Sequence, residues 1–219
     1  YDPLNARAEE RLLPEHREYL AADLRGAVLD VGAGTGAMFP YFRSAIERDP
    51  SLRLRAVEPD PHMRQRAVRK AGDLGLEIEI RPEGAQSLPY ADDSFDVVVA
   101  SLVFCTIPDP EAALDEVARV LKPDGEFRFL EHVRADGWVA RVQDIVTPVW
   151  RLGVAGCHLN RDTTTTFRTD DRFEVGELDE PDIAVLPVMP FIRGTLVRRD
   201  APGTRDDPSS NVSRRGSRP

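Results

Sequence analysis

Past residue 24 the hydrophobic pattern of this chain switches back and forth between two periods. Short apolar runs of four to six residues alternate with longer stretches whose apolar positions recur every three or four residues, the signatures of buried strands and of amphipathic helices. Residues 8–24 read as an amphipathic opening helix. Ala27–Val31 is the first strand, followed by a helix over Ala37–Arg48. Leu52–Val57 is the second strand, ending at Glu58-Pro59-Asp60, and Pro61–Gly72 the next helix. Ile78 and Ile80 mark a short third strand, and Phe95–Ala100 is a β-branched run of the kind buried on both faces. Proline suits a first helical position, so a helix starts after Asp109-Pro110, with Ala113, Leu114, Val117, Val120 and Leu121 on one stripe. Lys122-Pro123-Asp124-Gly125 ends it and turns into a fifth strand, Glu126–Glu131. A helical segment over about 136–152 includes Trp138, Val142, Ile145 and Trp150, and 153–166 reads as irregular. Phe173–Leu178 and Ile192–Arg198 close the pattern as two strands of a hairpin. Strand–helix alternation of this kind predicts an α/β fold: a seven-stranded, mostly parallel sheet with helices on both faces.

Composition sets the outline. The 219 residues suit one domain over 1–199 and a polar tail over 200–219, where Pro, Gly, Ser, Asp and Arg leave almost nothing to bury. A formal charge of −9 argues against a nucleic-acid partner, which calls for a basic groove. Lysine occurs only at positions 70 and 122, and acids come in pairs such as Asp92-Asp93, so an acidic surface is expected. Salt-adapted proteins and ordinary acidic proteins of GC-rich genomes both fit that balance. No run of eighteen apolar residues and no signal peptide are read, which predicts a cytoplasmic protein without a spanning helix. Cys105 and Cys157 do not form a C-x-x-C pair, and the histidines and carboxylates lack ligand spacing. Neither a disulfide framework nor a metal is expected.

The chemistry gathers at the carboxyl ends of the predicted strands, where open α/β sheets bind ligands. Val28-Leu29-Asp30-Val31-Gly32-Ala33-Gly34-Thr35-Gly36 turns a buried strand sharply into a helix while its glycines let backbone approach a ligand. The spacing is G-x-G-x-G rather than the G-x-G-x-x-G of dinucleotide binders. Glu58 ends strand two, where a carboxylate can accept both hydroxyls of a ribose. Gly84-Ala85-Gln86 follow strand three and can frame a flat base; Ser101 and Leu102 follow strand four. Taken singly, Asp30 could brace its loop and Glu58 could be a solvated helix-start acid. A dinucleotide oxidoreductase and a non-catalytic cofactor-binding domain are the rival classes.

The ordered set VLDVGAGTG, VEPD and FDVVVASLVFCTIPDPEAALDEVARVLKPDGEFRF resembles the class I S-adenosylmethionine-dependent methyltransferases over roughly residues 20–135. That resemblance implies a Rossmann-like fold with S-adenosyl-L-methionine as cofactor. Asp30, Gly32, Ala33, Gly34 and Gly36 would hold its methionine part, Glu58 its ribose, and Ala85 and Gln86 its adenine edge, with Pro59, Ser101 and Leu102 as further cofactor-binding positions. Gly84-Ala85 replaces the aspartate many members carry there, leaving Gln86 as the polar partner. In the second half, Glu131-His132-Val133, Pro148-Val149-Trp150 and Gly156-Cys157-His158-Leu159-Asn160-Arg161 are similar to the microsomal thiol S-methyltransferase group, as are Tyr1-Asp2 and Leu24-Arg25-Gly26. The implied acceptor is a small thiol or hydrogen sulfide, with a phospholipid amine or a quinone carbon as runners-up. The apolar amino-terminal anchor of vertebrate-type members is not read here, which leaves peripheral membrane contact open. A thiol reacts as thiolate, so a base or cation must stand near it. His132 is the first candidate and His158 the second, each against a structural role. Trp138, Trp150, Phe104 and Tyr41 either wall an acceptor pocket or join the core. Asn160 and Arg161 either orient an anion or form a surface pair.

Overall fold

The computed structural model describes residues 11–153, 156–183 and 189–199. The elements are α1 (Pro14–Leu20), β1 (Ala27–Val31), α2 (Phe39–Arg48), β2 (Arg53–Val57), α3 (Pro61–Asp73), β3 (Glu79–Arg81) and β4 (Phe95–Ser101), followed by α4 (Pro110–Val120), β5 (Leu121–His132), α5 (Gly137–Gly153), α6 (Thr163–Thr169), β6 (Phe173–Asp179) and β7 (Phe191–Arg198). One seven-stranded sheet runs in the order β3-β2-β1-β4-β5-β7-β6. The first five strands are parallel and β7 enters antiparallel between β5 and β6. Strand order reverses between β1 and β4, and that is the switch point at which such sheets bind ligands. The predicted alternation and strand number hold.

The central strands β1 and β4 are buried on both faces, which is why they read as apolar runs, while β2 and β6 keep exposed positions. On one face Leu20, Phe39, Phe42, Ala67 and Ala71 pack against Val28, Ala56, Val97 and Val99. On the other, Leu114, Val117 and Phe167 pack on Leu29, Val98, Phe127 and Phe129. Phe104 belongs to this second layer, with ring centroids 5.5 Å from Phe127 and 5.2 Å from Phe167. Helix starts follow local chemistry: Asp60 accepts from the His62 and Met63 amides, and Asp109 from the Ala112 amide, each with proline at the first helical position.

Three sequence expectations are corrected. Lys122–Gly125 does not separate helix from strand; it is a bulge inside β5, where register shifts between the Phe95 and Val97 partners. The stretch expected to be irregular runs into α6, whose five threonines mask a helix started by Asp162 accepting from the Thr165 amide and anchored by buried Phe167. In α5 the inner stripe is Ala140, Gln143 and Thr147, while Trp138, Ile145, Val149 and Leu152 face outward, Trp138 at 73 % exposure. Gln143 earns the inner place by accepting from the Ala135 amide at 2.8 Å and donating to the Val133 carbonyl at 3.2 Å, backbone groups that β5 leaves behind as it ends. No helix among the described residues is long and apolar enough to cross a membrane. The expected tail, 200–219, lies outside the described residues, as does Tyr1-Asp2.

Candidate active site

The glycine turn is held from β2. The Gly32 and Ala33 amides both donate to the Val57 carbonyl at 3.0 Å, and the Gly34 amide donates to Glu58 Oε2 at 2.7 Å. The other carboxylate oxygen of Glu58 accepts from the Asp60 amide at 2.8 Å. Gly32, Gly34 and Gly36 all adopt left-handed backbone, but for different ends. A Cβ at Gly32 would stand 2.6 Å from Val103, and one at Gly36 2.7 Å from Phe39, so those two glycines serve packing. Around Gly34 the nearest atom to such a Cβ is a backbone oxygen at 3.9 Å. Gly34 therefore keeps an open backbone face beside the Glu58 carboxylate, where a ligand can lie against the chain.

Among the described residues, two buried polar atoms along this edge lack a protein partner, Asp30 Oδ2 and the Ser101 hydroxyl. Such atoms call for a ligand or water. Burial, with the Glu58 charge behind it, pushes the Asp30 carboxyl well above its usual range. Burial likewise raises Glu58, against the two backbone donors that favour its charged form. Ala85 is buried and Gln86 half-buried in a turn closed by the Ser87 amide on the Gly84 carbonyl, 3.2 Å; Pro59 is exposed beside Glu58. Gly34, Asp30, Glu58 and Ser101 thus offer open backbone, free acceptors and a hydroxyl along the reversal of strand order, a donor–acceptor set that fits a cationic amino acid joined to a ribose.

A second buried polar group, at the end of β5, is built around a residue that carried no assigned role in the sequence. Glu131 is fully buried at the end of β5, and one carboxylate oxygen accepts from the Val103 and Phe104 amides at 2.8 and 3.0 Å. The other faces the Cys105 amide at 3.4 Å. Burial pushes its carboxyl up to about 7 in spite of these donors. It thereby shapes the turn after β4, entered through Leu102, whose φ of 61° is a conformation that bulky residues rarely adopt. The sequence signal was available: an acid inside the otherwise buried run Phe127–Val133.

His132 follows, buried, with Nε2 2.8 Å from Cys157 Sγ and Nδ1 without a partner. Cys105 Sγ completes a group of three ligand-type atoms within 4.8 Å of one another. Hydrogen bonding from Cys105, His132 and Trp150 draws the Cys157 thiol below its usual range, and the same contact raises Cys105. His158 is not in this group. Its amide donates to the Cys105 carbonyl at 2.8 Å, its Nδ1 lies 3.2 Å from the same oxygen, and burial lowers its pKa. Arg161 donates to the Phe104 and Ile107 carbonyls, and Asn160 to Asp144, so this pair braces backbone and α5 rather than waiting for an anion. Of the four aromatic residues considered for a pocket wall, Phe104 is core and Trp138 points outward, Tyr41 lies half-buried in α2 against the core, and Trp150 stands by Cys157.

Comparison with known proteins gives the arrangement its relatives. Residues 29–129 match the model of a methyltransferase domain. The chain is 33 % identical over 208 residues to thiol S-methyltransferase TMT1B of Rattus norvegicus, covering 89 % of this chain and 83 % of that protein. To human thiol S-methyltransferase TMT1A it is 32 % identical over 168 residues, 74 % of this chain and 66 % of the relative. Its fold superposes with a TM-score of 0.67 on geranyl diphosphate C-methyltransferase of Streptomyces coelicolor, crystallised with S-adenosyl-L-homocysteine, at 14 % identity over 86 % of this chain and 80 % of the other.

Proposed function

We propose, from the premise that this chain belongs to the S-adenosylmethionine-dependent methyltransferase family that includes the thiol S-methyltransferases, that it methylates the sulfur of a small lipophilic thiol or of hydrogen sulfide. The observation that carries the thiol reading is the identity to a thiol S-methyltransferase across most of both chains. S-adenosylmethionine supplies a sulfonium methyl group that an aligned nucleophile takes by in-line displacement. The chain's own part is then to bind, align and activate, and alignment provides much of the rate.

In this reading Glu58 accepts the ribose hydroxyls with the lone pairs its two backbone donors leave free. Gly34 offers bare backbone to the methionine part, and Asp30 and Ser101 take hydrogen bonds from it. Pro59 flanks the ribose, and Ala85 and Gln86 border the adenine. Ala33 and the packed Gly32 and Gly36 hold the turn, and Leu102 forms the floor. Activation of the acceptor falls to His132 rather than His158, because His132 ends β5 beside Cys157 with a free ring nitrogen, whereas His158 is tied to the Cys105 carbonyl. An imidazole can take the thiol proton or, charged, hold the resulting thiolate. Labelled cofactor offered against thiols, amines, phenols and lipids tests the proposal. Label on sulfur alone is the expected result, and label on nitrogen or carbon alone refutes the thiol acceptor.

A further inference from the structure

We infer that Cys105, His132 and Cys157 form a binding site for one soft divalent cation, zinc foremost, with a fourth coordination position left to an exogenous sulfur. The three residues come from the turn after β4, the end of β5 and the segment after α5. Their Sγ, Nε2 and Sγ atoms lie within 4.8 Å of one another, and all three side chains are buried. Two thiolates and an imidazole are the ligand set that selects zinc over the hard cations, and three protein ligands with an open position is the arrangement of catalytic rather than structural sites. Zinc–sulfur bonds of about 2.3 Å and zinc–nitrogen bonds of about 2.0–2.1 Å put tetrahedral ligand atoms roughly 3.5–3.8 Å apart. His132 and Cys157, now 2.8 Å apart, would open by under about 1 Å, and the widest pair would close by about as much. Charge also balances: two thiolates cancel a dication, so the ion enters a buried place without leaving net charge there. Nε2, the nitrogen already turned to Cys157, is the ligating one.

What the ion does rests on the thiol reading; that it binds does not. A thiol entering the fourth position gives its sulfur electron pair to the ion, its S–H bond breaks, and the proton leaves to water. The acceptor is then held as a thiolate by the metal, a task otherwise left to the imidazole alone.

The test is titration of the reduced full-length chain with Co2+ in the absence of air, followed by displacement with Zn2+. One equivalent should produce a near-ultraviolet thiolate-to-cobalt charge-transfer band and visible bands of tetrahedral intensity, both lost on adding zinc. Cys105→Ser, Cys157→Ser and His132→Ala should each weaken binding by about tenfold or more. Variants are read only if they retain S-adenosylhomocysteine binding by calorimetry. Should none fold, the parent protein decides through zinc protection of both cysteines from alkylation. Absence of the charge-transfer band with excess cobalt, or an unchanged cobalt affinity in Cys157→Ser, overturns the site, as does alkylation unaffected by zinc. An ion that binds while thiol methylation is unchanged after chelation overturns its catalytic part alone. An ion that binds to a chain unable to methylate any thiol leaves the site standing and refutes the thiol acceptor.

Discussion

Replacing Glu58 by glutamine removes a charge and one acceptor oxygen while keeping the side chain's shape. In the parent, one oxygen holds the Gly34 amide at 2.7 Å and the other the Asp60 amide at 2.8 Å, so both ends of the carboxylate are fixed before the ribose arrives. Hydrogen bonds to a charged acceptor contribute about 1.5–3 kcal/mol and those to a neutral one about 0.5–1.5 kcal/mol. For two ribose hydroxyls the difference is about 2–3 kcal/mol, or roughly 30- to 150-fold in Kd. The glutamine NH2 also meets an amide donor on whichever side it points, which adds to the loss rather than offsetting it. Calorimetric titration with S-adenosylmethionine and S-adenosylhomocysteine should show equal weakening for both, because the ribose is common to them. The same group predicts a pH dependence. Burial raises Glu58 above the ordinary carboxylate range, and the charged form is the one that binds. Affinity should therefore fall on acidification through that raised pKa, by up to about tenfold per pH unit, with the fall absent in Glu58→Gln. A Kd within about threefold of the parent, with the acid dependence retained, would refute the ribose role.

Gly32→Ala and Gly34→Ala should separate packing from binding. The first drives a Cβ into Val103 and should lower thermal stability by about 2 kcal/mol or more, whereas the second carries only the left-handed strain of about 1–2 kcal/mol and should chiefly weaken cofactor binding, by calorimetry. Glu131→Leu strands the Val103, Phe104 and Cys105 amides and should cost about 3–5 kcal/mol in urea unfolding, with Glu131→Gln, which keeps one acceptor, losing less than half of that. Phe167→Ala empties the meeting point of Phe104, Phe127 and Phe129 and should cost about 3–5 kcal/mol in the same assay without changing the cofactor Kd.

Periodicity carried the sheet because its central strands are buried on both faces and its helices on one, so the pattern and the fold are there the same statement. Ala27–Val31 is the clearest case: predicted and observed bounds coincide. Where side chains hydrogen-bond to backbone, periodicity misled. In α5, Gln143 and Thr147 take the inner face and leave Trp138 and Ile145 outside, an order that an apolar count inverts. The proposed cofactor-binding set, Asp30, the glycines and Glu58, was legible as a group because these residues sit at strand ends fixed by the topology. The buried Cys105, His132 and Cys157 cluster was not. Cys105, His132 and Cys157 are separated by about 25 residues each and meet only through the turn that Glu131 folds and the return of the chain after α5. Ligand spacing along a sequence cannot register a cluster assembled from a strand end and two separate segments.

Glu131 has a mechanical consequence. Its carboxylate sets the turn that carries Val103, Val103 abuts the bare Gly32, and the very next backbone unit presents His132. In the proposed reading, the cofactor-binding turn and the acceptor-activating histidine are thus surveyed from a single benchmark. A shift of β5 against its neighbours carries both with it, so the straight line that methyl transfer demands survives small distortions of the sheet. Variation in which acceptors are admitted is correspondingly expected from segments that this benchmark does not hold, and not from the turn itself.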